Sequence, residues 1–462
     1  MQYLAVDICC FLGYRCVIFC GMSLTHLTPT GYLPRVVDAQ LDHMLRTAPA
    51  VVVEGPRACG KTWTGRRFAT SEVRFDELET TRLRLEIEPA SFLAGTTPRL
   101  LDEWHLAGGL WNAMRHACDD RALNGQFILT GSVRPTRNPV DHSGAGRVAR
   151  LRMRPMSLFE SGDSTGAISL GGLLDGDPCA ADAADHGMAN VGGESRTGGR
   201  GSGVGRIAEL VCRGGLPGFI ALDPLDARDR AHDYLRDIAR IDLSTNEPAT
   251  HDPAKMLALM TSLARNEATS ASARTLVADT ANAGGPADRD TVGRYIDRLV
   301  EAFIIEPLPA WSTHLRSKAS LRVKPKRFYV DPSMPAAAIK ATPRGLLDDP
   351  ATFGLLFESL VLRDLRVYAQ SFGAEVRHYK DSANHEVDAV ITRGHRDWAA
   401  VEVKLGGPVL IDKGVGTLRK LRKNVDTARA GEPRRLMVIT AGGRAFETRD
   451  DIAIVPITHL RP

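Results

Sequence analysis

The 462-residue sequence has no run of about twenty apolar residues, so no membrane-spanning helix is expected and a membrane partner is excluded on that ground. Its apolar stretch at residues 8–20 is short and is broken by Arg15. With neither a basic start nor a small-residue cleavage site, it does not read as a signal peptide. Cysteine is sparse beyond the first twenty residues. Cys9, Cys10, Cys16 and Cys20 crowd the start, while Cys59, Cys118, Cys179 and Cys212 are scattered and match no metal-ligand spacing. That excludes a disulfide scaffold and points to a reducing, cytoplasmic setting. A large charge surplus is also missing: Lys+Arg 59 against Asp+Glu 55 leaves +4, too little over this length to demand a nucleic-acid partner. There is no internal repeat. What is present is ordinary globular composition, 43% hydrophobic and 25% charged, which excludes a mostly disordered or collagen-like chain. The length suits about three domains of about 150 residues.

Residues 1–21, ahead of Met22, are expected to stand outside the working fold, and residues 1–30 are read as a leader. From Pro34 to Leu45 the apolar spacing predicts an amphipathic opening helix. The run Ala50–Glu54 is a short apolar strand, with further strands expected at Val73–Phe75, Leu100–Leu101, Phe127–Thr130 and Val148–Met153 and helical patterns between most of them. Alternating strands and helices mean a parallel sheet, hence an α/β domain over residues 31–160. Residues 161–205 are rich in Gly, Ser, Ala and Asp, with seven glycines in residues 192–205, and read as a flexible insertion. Helices at Arg206–Cys212 and Asp226–Leu243 form a helical lid over residues 206–250. Three helical patterns, the last Asp290–Phe303, precede a strand at Ile304–Pro307, the outline of a winged helix over residues 251–335. The last domain, residues 345–462, combines a helix at Phe357–Ser371 with strands Glu375–Lys380, Glu386–Thr392, Ala399–Lys404, Arg435–Thr440 and Ile452–Pro456.

The strand Ala50–Glu54 runs into Gly55, Pro56, Arg57, Ala58, Cys59, Gly60, Lys61 and Thr62, a full G-x-x-x-x-G-K-[ST] match. Its glycines let backbone N–H groups and the next helix's N-terminus face a β-phosphate. Lys61 adds positive charge at the β/γ oxygens, and Thr62 offers a hydroxyl to Mg²⁺. The strand ending Leu100, Leu101, Asp102, Glu103 supplies a metal-holding Asp102 and a water-activating Glu103. On the neighbouring strand Thr130 and Ser132 stand at the carboxyl end, near the γ-phosphate; for Thr130 a plain helix cap is the alternative. Arg147, after a polar loop at residues 134–146, is a candidate for neutralising charge on phosphoryl transfer. Arg150, Arg152 and Arg154 alternate with apolar residues and read as one solvated strand face.

The segments GYLPRVVD, GPRACGKT, LLDEW, FILTGS, GAGR, MRPMSLFESG and GGLPG resemble, in the same order, prokaryotic AAA-type P-loop ATPases that carry an uncharacterised C-terminal domain similar to restriction endonucleases. The resemblance implies ATP binding and hydrolysis with Mg²⁺, Lys61, Thr62, Asp102 and Glu103 falling on its nucleotide-site motifs. His105 departs from it, since a Gln commonly follows the acidic pair there. The last domain also fits a PD-(D/E)xK nuclease through Glu358 on a helix, Asp388 on one strand and Glu402-x-Lys404 on the next. Residues two apart leave the same strand face, so Glu402 and Lys404 are expected together. Asp388 can share a divalent ion with Glu402, Glu358 completes that ligand set, and Lys404 positions a hydrolytic water. Val387 stands where that pattern has Pro. Such domains also occur as inactive binding modules.

Residues 314–327 carry Arg316, Lys318, Arg322, Lys324, Lys326 and Arg327 and no acid. A wing at that place would touch backbone phosphates regardless of sequence. Arg419, Lys420, Arg422 and Lys423 form a second basic cluster. The leading expectation is an ATP hydrolase coupled to nucleic-acid binding, DNA before RNA, with self-association compatible. The alternatives are an ATP-licensed nuclease and a nucleotide-dependent switch for a protein partner.

Overall fold

The computed structural model describes residues 26–76, 87–107, 109–131, 144–179, 203–242, 252–281, 284–285, 288–312 and 323–462. The residue 1–21 leader, Ser132 and most of the 134–146 loop therefore lie outside the described residues, as do Arg316, Lys318 and Arg322.

The opening helix Asp38–Thr47 leads into β1 (Ala50–Glu54), whose consecutive Val residues suit a strand covered on both faces. With β2 (Ser71–Arg74), β3 (Arg99–Asp102), β4 (Phe127–Gly131) and β5 (Val148–Arg152) it forms a parallel sheet in the order β2-β3-β4-β1-β5. Thr130 pairs with Val53 on one side and Asp102 on the other. That register aligns the carboxyl ends of β1, β3 and β4, the edge where ligands bind in open parallel sheets.

Residues 161–179 correct the sequence reading. They are not a flexible insertion: β6 (Ile168–Ser169) and helix Leu170–Asp175 bury Ile168, Leu170, Leu173 and Leu174 in the core of the C-terminal half. Gly and Ser composition hid a short Leu-rich segment whose partners are nearly 300 residues away. The remainder of that stretch, residues 180–202, lies outside the described residues.

Helices Val204–Arg213 and Pro224–Asp237 pack on each other. Asp223, Asp252, Ser272 and Asp288 each cap the helix that follows by accepting a backbone N–H, which satisfies donors the helix itself cannot. Helices Pro253–Arg265, Ala273–Thr280 and Arg289–Glu301 precede an antiparallel pair, β7 (Ile305–Leu308) with β8 (Lys326–Tyr329).

Helix Pro350–Ser371 begins seven residues ahead of its expected start, at an Asp349 cap and a Pro at the first turn. It packs on a mixed sheet of β9 (Glu375–Lys380), β10 (Glu386–Thr392), β11 (Trp398–Lys404), β12 (Arg435–Thr440), β13 (Phe446–Glu447) and β14 (Ile452–Pro456). The order is β13-β14-β12-β11-β10-β9. β9, β10 and β11 form an antiparallel meander, and β12 and β14 run parallel to β11. Helix Pro408–Asn424, which the sequence reading did not mark, makes the crossover to β12. A last strand, β15 (Leu460–Arg461), pairs with β6 and ties the C-terminus to residues 168–169. No helix among the described residues is long and apolar enough to cross a membrane.

Candidate functional site

The phosphate loop turns on two glycines. A Cβ on Gly55 would lie 2.2 Å from the Met153 carbonyl oxygen, and Gly60 adopts φ +101° at the mouth of helix Lys61–Phe68. Only glycine serves both needs, close approach in one case and left-handed backbone in the other. The buried Lys61 ammonium donates to the Gly55 and Pro56 carbonyls at 2.9 and 2.7 Å.

Asp102 is buried at the end of β3. Its Oδ1 accepts from the Thr62 hydroxyl at 2.9 Å and from the Thr130 hydroxyl at 2.5 Å. Thr130 is thus no helix cap; it is a buried strand residue that fixes the Asp102 carboxylate. Strand alternation would send Glu103 away from Asp102, but Glu103 has φ +53° and leaves the strand path, so both acids line one cleft. Burial, with Asp102 adding repulsion, holds the Glu103 carboxyl above its ordinary range. The His105 imidazole stands 3.4 Å from Glu103, and burial together with Arg57 and Lys61 lowers its basicity.

The cleft holds about 630 Å³. Beside Lys61, Thr62, Asp102 and Glu103 it is walled by Tyr32 and Leu33 on one side and by Met156, Pro217 and Gly218 on another. The Thr62 hydroxyl and Asp102 carboxylate form an oxygen donor pair suited to Mg²⁺, which takes one or two protein oxygens and keeps waters.

Several contributors escaped sequence reasoning. Arg35, buried, donates to the Cys59 carbonyl at 2.7 Å and to the Arg154 carbonyl at 2.7 Å, and pairs with Glu160 at 3.0 Å. It straps the phosphate loop to the segment after β5. The signal lay in GYLPRVVD and MRPMSLFESG, where an arginine and a glutamate sit 125 residues apart. Behind Pro217 and Gly218, the Gly215 N–H donates to Asp331 at 2.8 Å, Asp331 meets Arg363 at 3.2 Å, and Arg363 pairs with Asp364 at 2.7 Å. Asp364 in turn accepts from the Leu158 N–H at 3.0 Å.

Arg147 does not join this site in its own chain. Its neighbour Val148 pairs with Ala50, the first residue of β1, so Arg147 stands at the amino edge of the sheet. One strand length, about 15 Å at about 3.3 Å per residue, separates that edge from the phosphate loop. Its guanidinium meets Asp119 on helix Leu110–Arg121 at 2.5 Å. Nor are the alternating arginines a solvated face. Arg150 is exposed and pairs with Glu54, but Arg152 stacks 4.0 Å from the Phe303 ring centre, and Arg154 pairs with Glu306 at 2.6 Å. Arg154, Arg366 and Arg152 hold the Glu306 carboxyl far below its usual range against the opposing effect of burial.

The C-terminal residues do converge. Lys404 lies 2.6 Å from Glu402 and 3.3 Å from Asp388, and Asp388 also accepts from the Val403 N–H at 2.8 Å. Glu358 reaches the same cluster from helix Pro350–Ser371. Burial and Asp388 push Glu402 up to about 7, and the same two causes push Glu358 up to about 8, with lysines opposing both. Lys326, expected on a phosphate-facing wing, is instead buried beside Glu358 and Glu386. Arg327 donates to the Ala271 carbonyl at 2.6 Å. Of the basic run only Lys324 is exposed among the described residues.

An AAA domain family matches residues 47–161, so this part of the chain is an AAA-type P-loop ATPase domain, with the ATP binding and hydrolysis that such domains carry out. Two domains of unknown function match further along the chain, DUF8612 over residues 205–345 and DUF4143 over residues 353–460. The chain is similar to uncharacterized proteins of Mycobacterium bovis and Mycobacterium tuberculosis, each 23% identical over 438 residues, with 92% of this chain and 84% of the relative covered. Among solved structures it is similar to a Walker-type ATPase of Pyrococcus abyssi, at 13% identity and a TM-score of 0.39, covering 68% of this chain and 99% of that one.

Proposed function

We propose that the chain is an ATP hydrolase whose nucleotide cycle gates a nucleic-acid-binding C-terminal half. The observation that carries the coupling is the buried chain Gly215–Asp331–Arg363–Asp364–Leu158. It connects the loop bearing Pro217 and Gly218, which wall the cleft, to the helix on which the C-terminal domain is built. A buried ion pair has two discrete arrangements, made or broken, and so transmits a small displacement instead of absorbing it.

In this reading Lys61 and the loop N–H groups from Gly55 to Thr62 bind the β- and γ-phosphates. Thr62 and Asp102 would hold Mg²⁺, which when bound neutralises phosphate charge. Glu103 takes the proton of the attacking water, a role for which its raised basicity suits it. Thr130 keeps Asp102 aimed.

The helix, three-strand meander and crossover helix of the C-terminal domain support a restriction-endonuclease-like fold, and three helices before an antiparallel pair support a winged-helix-like middle. The exposed Arg419, Lys420 and Lys423 near the end of helix Pro408–Asn424 offer a phosphate-binding face, DNA before RNA. The test is the ATP turnover rate without nucleic acid and with single- and double-stranded DNA and RNA. Acceleration by at least one, weakening with salt, supports the reading. An unchanged rate with all of them, alongside ATP-dependent capture of a protein, would replace it with the partner switch.

A further inference from the structure

The nuclease resemblance implies Mg²⁺ among Glu358, Asp388 and Glu402, and the residues present do not fit it. The Lys326 ammonium lies 2.7 Å from Glu386, 3.2 Å from Glu358 and 4.0 Å from Asp388. Lys404 covers the other side of Asp388, at 3.3 Å, and holds Glu402 at 2.6 Å. Lys326 is 5% exposed, so its charge has no recourse to water. Divalent Mg²⁺ needs near-octahedral oxygen at about 2.0–2.1 Å, and an ammonium at hydrogen-bond distance from Glu358 and Glu386 and 4.0 Å from Asp388 occupies the volume in which that oxygen shell would form. Consistently, no group of three or more His, Cys, Asp or Glu among the described residues is placed to hold a metal.

We infer that Lys326 is the resident cation of this carboxylate site, a tethered ammonium standing where a nuclease would place its metal. Lys326 does not belong to the C-terminal domain. It comes from β8, which pairs with β7 in the preceding unit. The cation therefore also docks that unit onto helix Pro350–Ser371 and β10, with Arg366 donating to the Glu306 and Pro307 carbonyls at 3.2 and 3.1 Å alongside. The site's ligand class is a primary ammonium supplied in the same chain, and divalent metal is excluded while β8 stays docked. This inference stands apart from the nucleotide reading, and its test uses no nucleotide.

The experiment counts Mn²⁺ bound to the full chain by electron paramagnetic resonance, for wild type, Lys326→Met, Asp388→Asn and the double variant. Wild type and Asp388→Asn are expected to bind the same amount. Lys326→Met is expected to gain one equivalent, lost again in the double variant, because removing the ammonium leaves Glu358, Glu386 and Asp388 facing an opened volume. One equivalent in wild type that Asp388→Asn abolishes would overturn the inference, and it requires no lysine variant to fold. A folded Lys326→Met that binds no extra Mn²⁺ would overturn it as well, since the ammonium would then not be what keeps metal out.

Discussion

Lys61 combines burial with charge, and the phosphate loop makes that tolerable by turning the Gly55 and Pro56 carbonyls onto the ammonium. Those bonds hold the side chain inside the loop but pack nothing apolar. Lys61→Ala should therefore lose tight ATP binding while keeping the wild-type circular dichroism spectrum, and nucleotide titration checks it. Glu103→Gln should bind ATP near normally and turn it over about 10²-fold more slowly, within the range that general-base removal costs. Unchanged turnover in single-turnover kinetics would take Glu103 out of the mechanism. Arg147, at the far edge of the sheet beside Asp119, should leave ATP affinity unchanged when replaced by Ala; a weakened Kd would mean that the residue reaches a nucleotide after all. The phosphate loop and the acidic pair were legible because each is a contiguous string whose chemistry follows from local backbone geometry. Arg35 was not, since its partners Cys59, Arg154 and Glu160 come together only once β1 and β5 are neighbours.

At the scale of elements, Glu267 joins three of them. It follows helix Pro253–Arg265, accepts from the Tyr329 N–H of β8 at 3.0 Å, and accepts from Ser359 on helix Pro350–Ser371 at 2.7 Å. Burial pushes its carboxyl up to about 8 from the usual 4.5. Below the lower value the group is protonated folded and unfolded alike and adds no slope. Between the two values the folded protein keeps a proton that the unfolded chain releases, so stability falls as pH rises. Glu267→Gln, which retains an acceptor oxygen, should melt above wild type at pH 8 and approach it near pH 5. Parallel melting curves at every pH would show that Glu267 does not titrate in this window. The β-rich C-terminal elements were readable from alternation and β-branched runs, whereas the first turns of helix Pro350–Ser371, with their Asp349 cap and Pro350, were missed ahead of Phe357. Helix Pro408–Asn424 was missed because glycines and a basic end blur its apolar stripe, and residues 168–175 because a short Leu-rich run was embedded in glycine.

At the scale of the whole molecule, the cleft wall and the C-terminal helix are bound through Asp331 and Arg363. Asp331→Asn weakens the pair with Arg363 and offers an amide where Gly215 or Ser333 needs an acceptor. It should cost about 1–3 kcal/mol of stability and weaken ATP binding several-fold through Pro217 and Gly218. Denaturant melts and nucleotide titration measure the two effects, and lost stability with unaltered affinity would separate the network from the cleft. The sequence by itself determined the parallel nucleotide-binding domain, its phosphate loop, the acids at the end of β3 and the positions of five C-terminal strands along the chain, since hydrophobic period and glycine placement act over a few residues. Only the tertiary structure decided that Arg147 faces away from its own nucleotide cleft, that residues 161–179 belong to the C-terminal core, and that Lys326 enters the carboxylate cluster. Each depends on which distant segments share a buried, low-dielectric space, where an unpaired charge costs several kcal/mol and so dictates its neighbour.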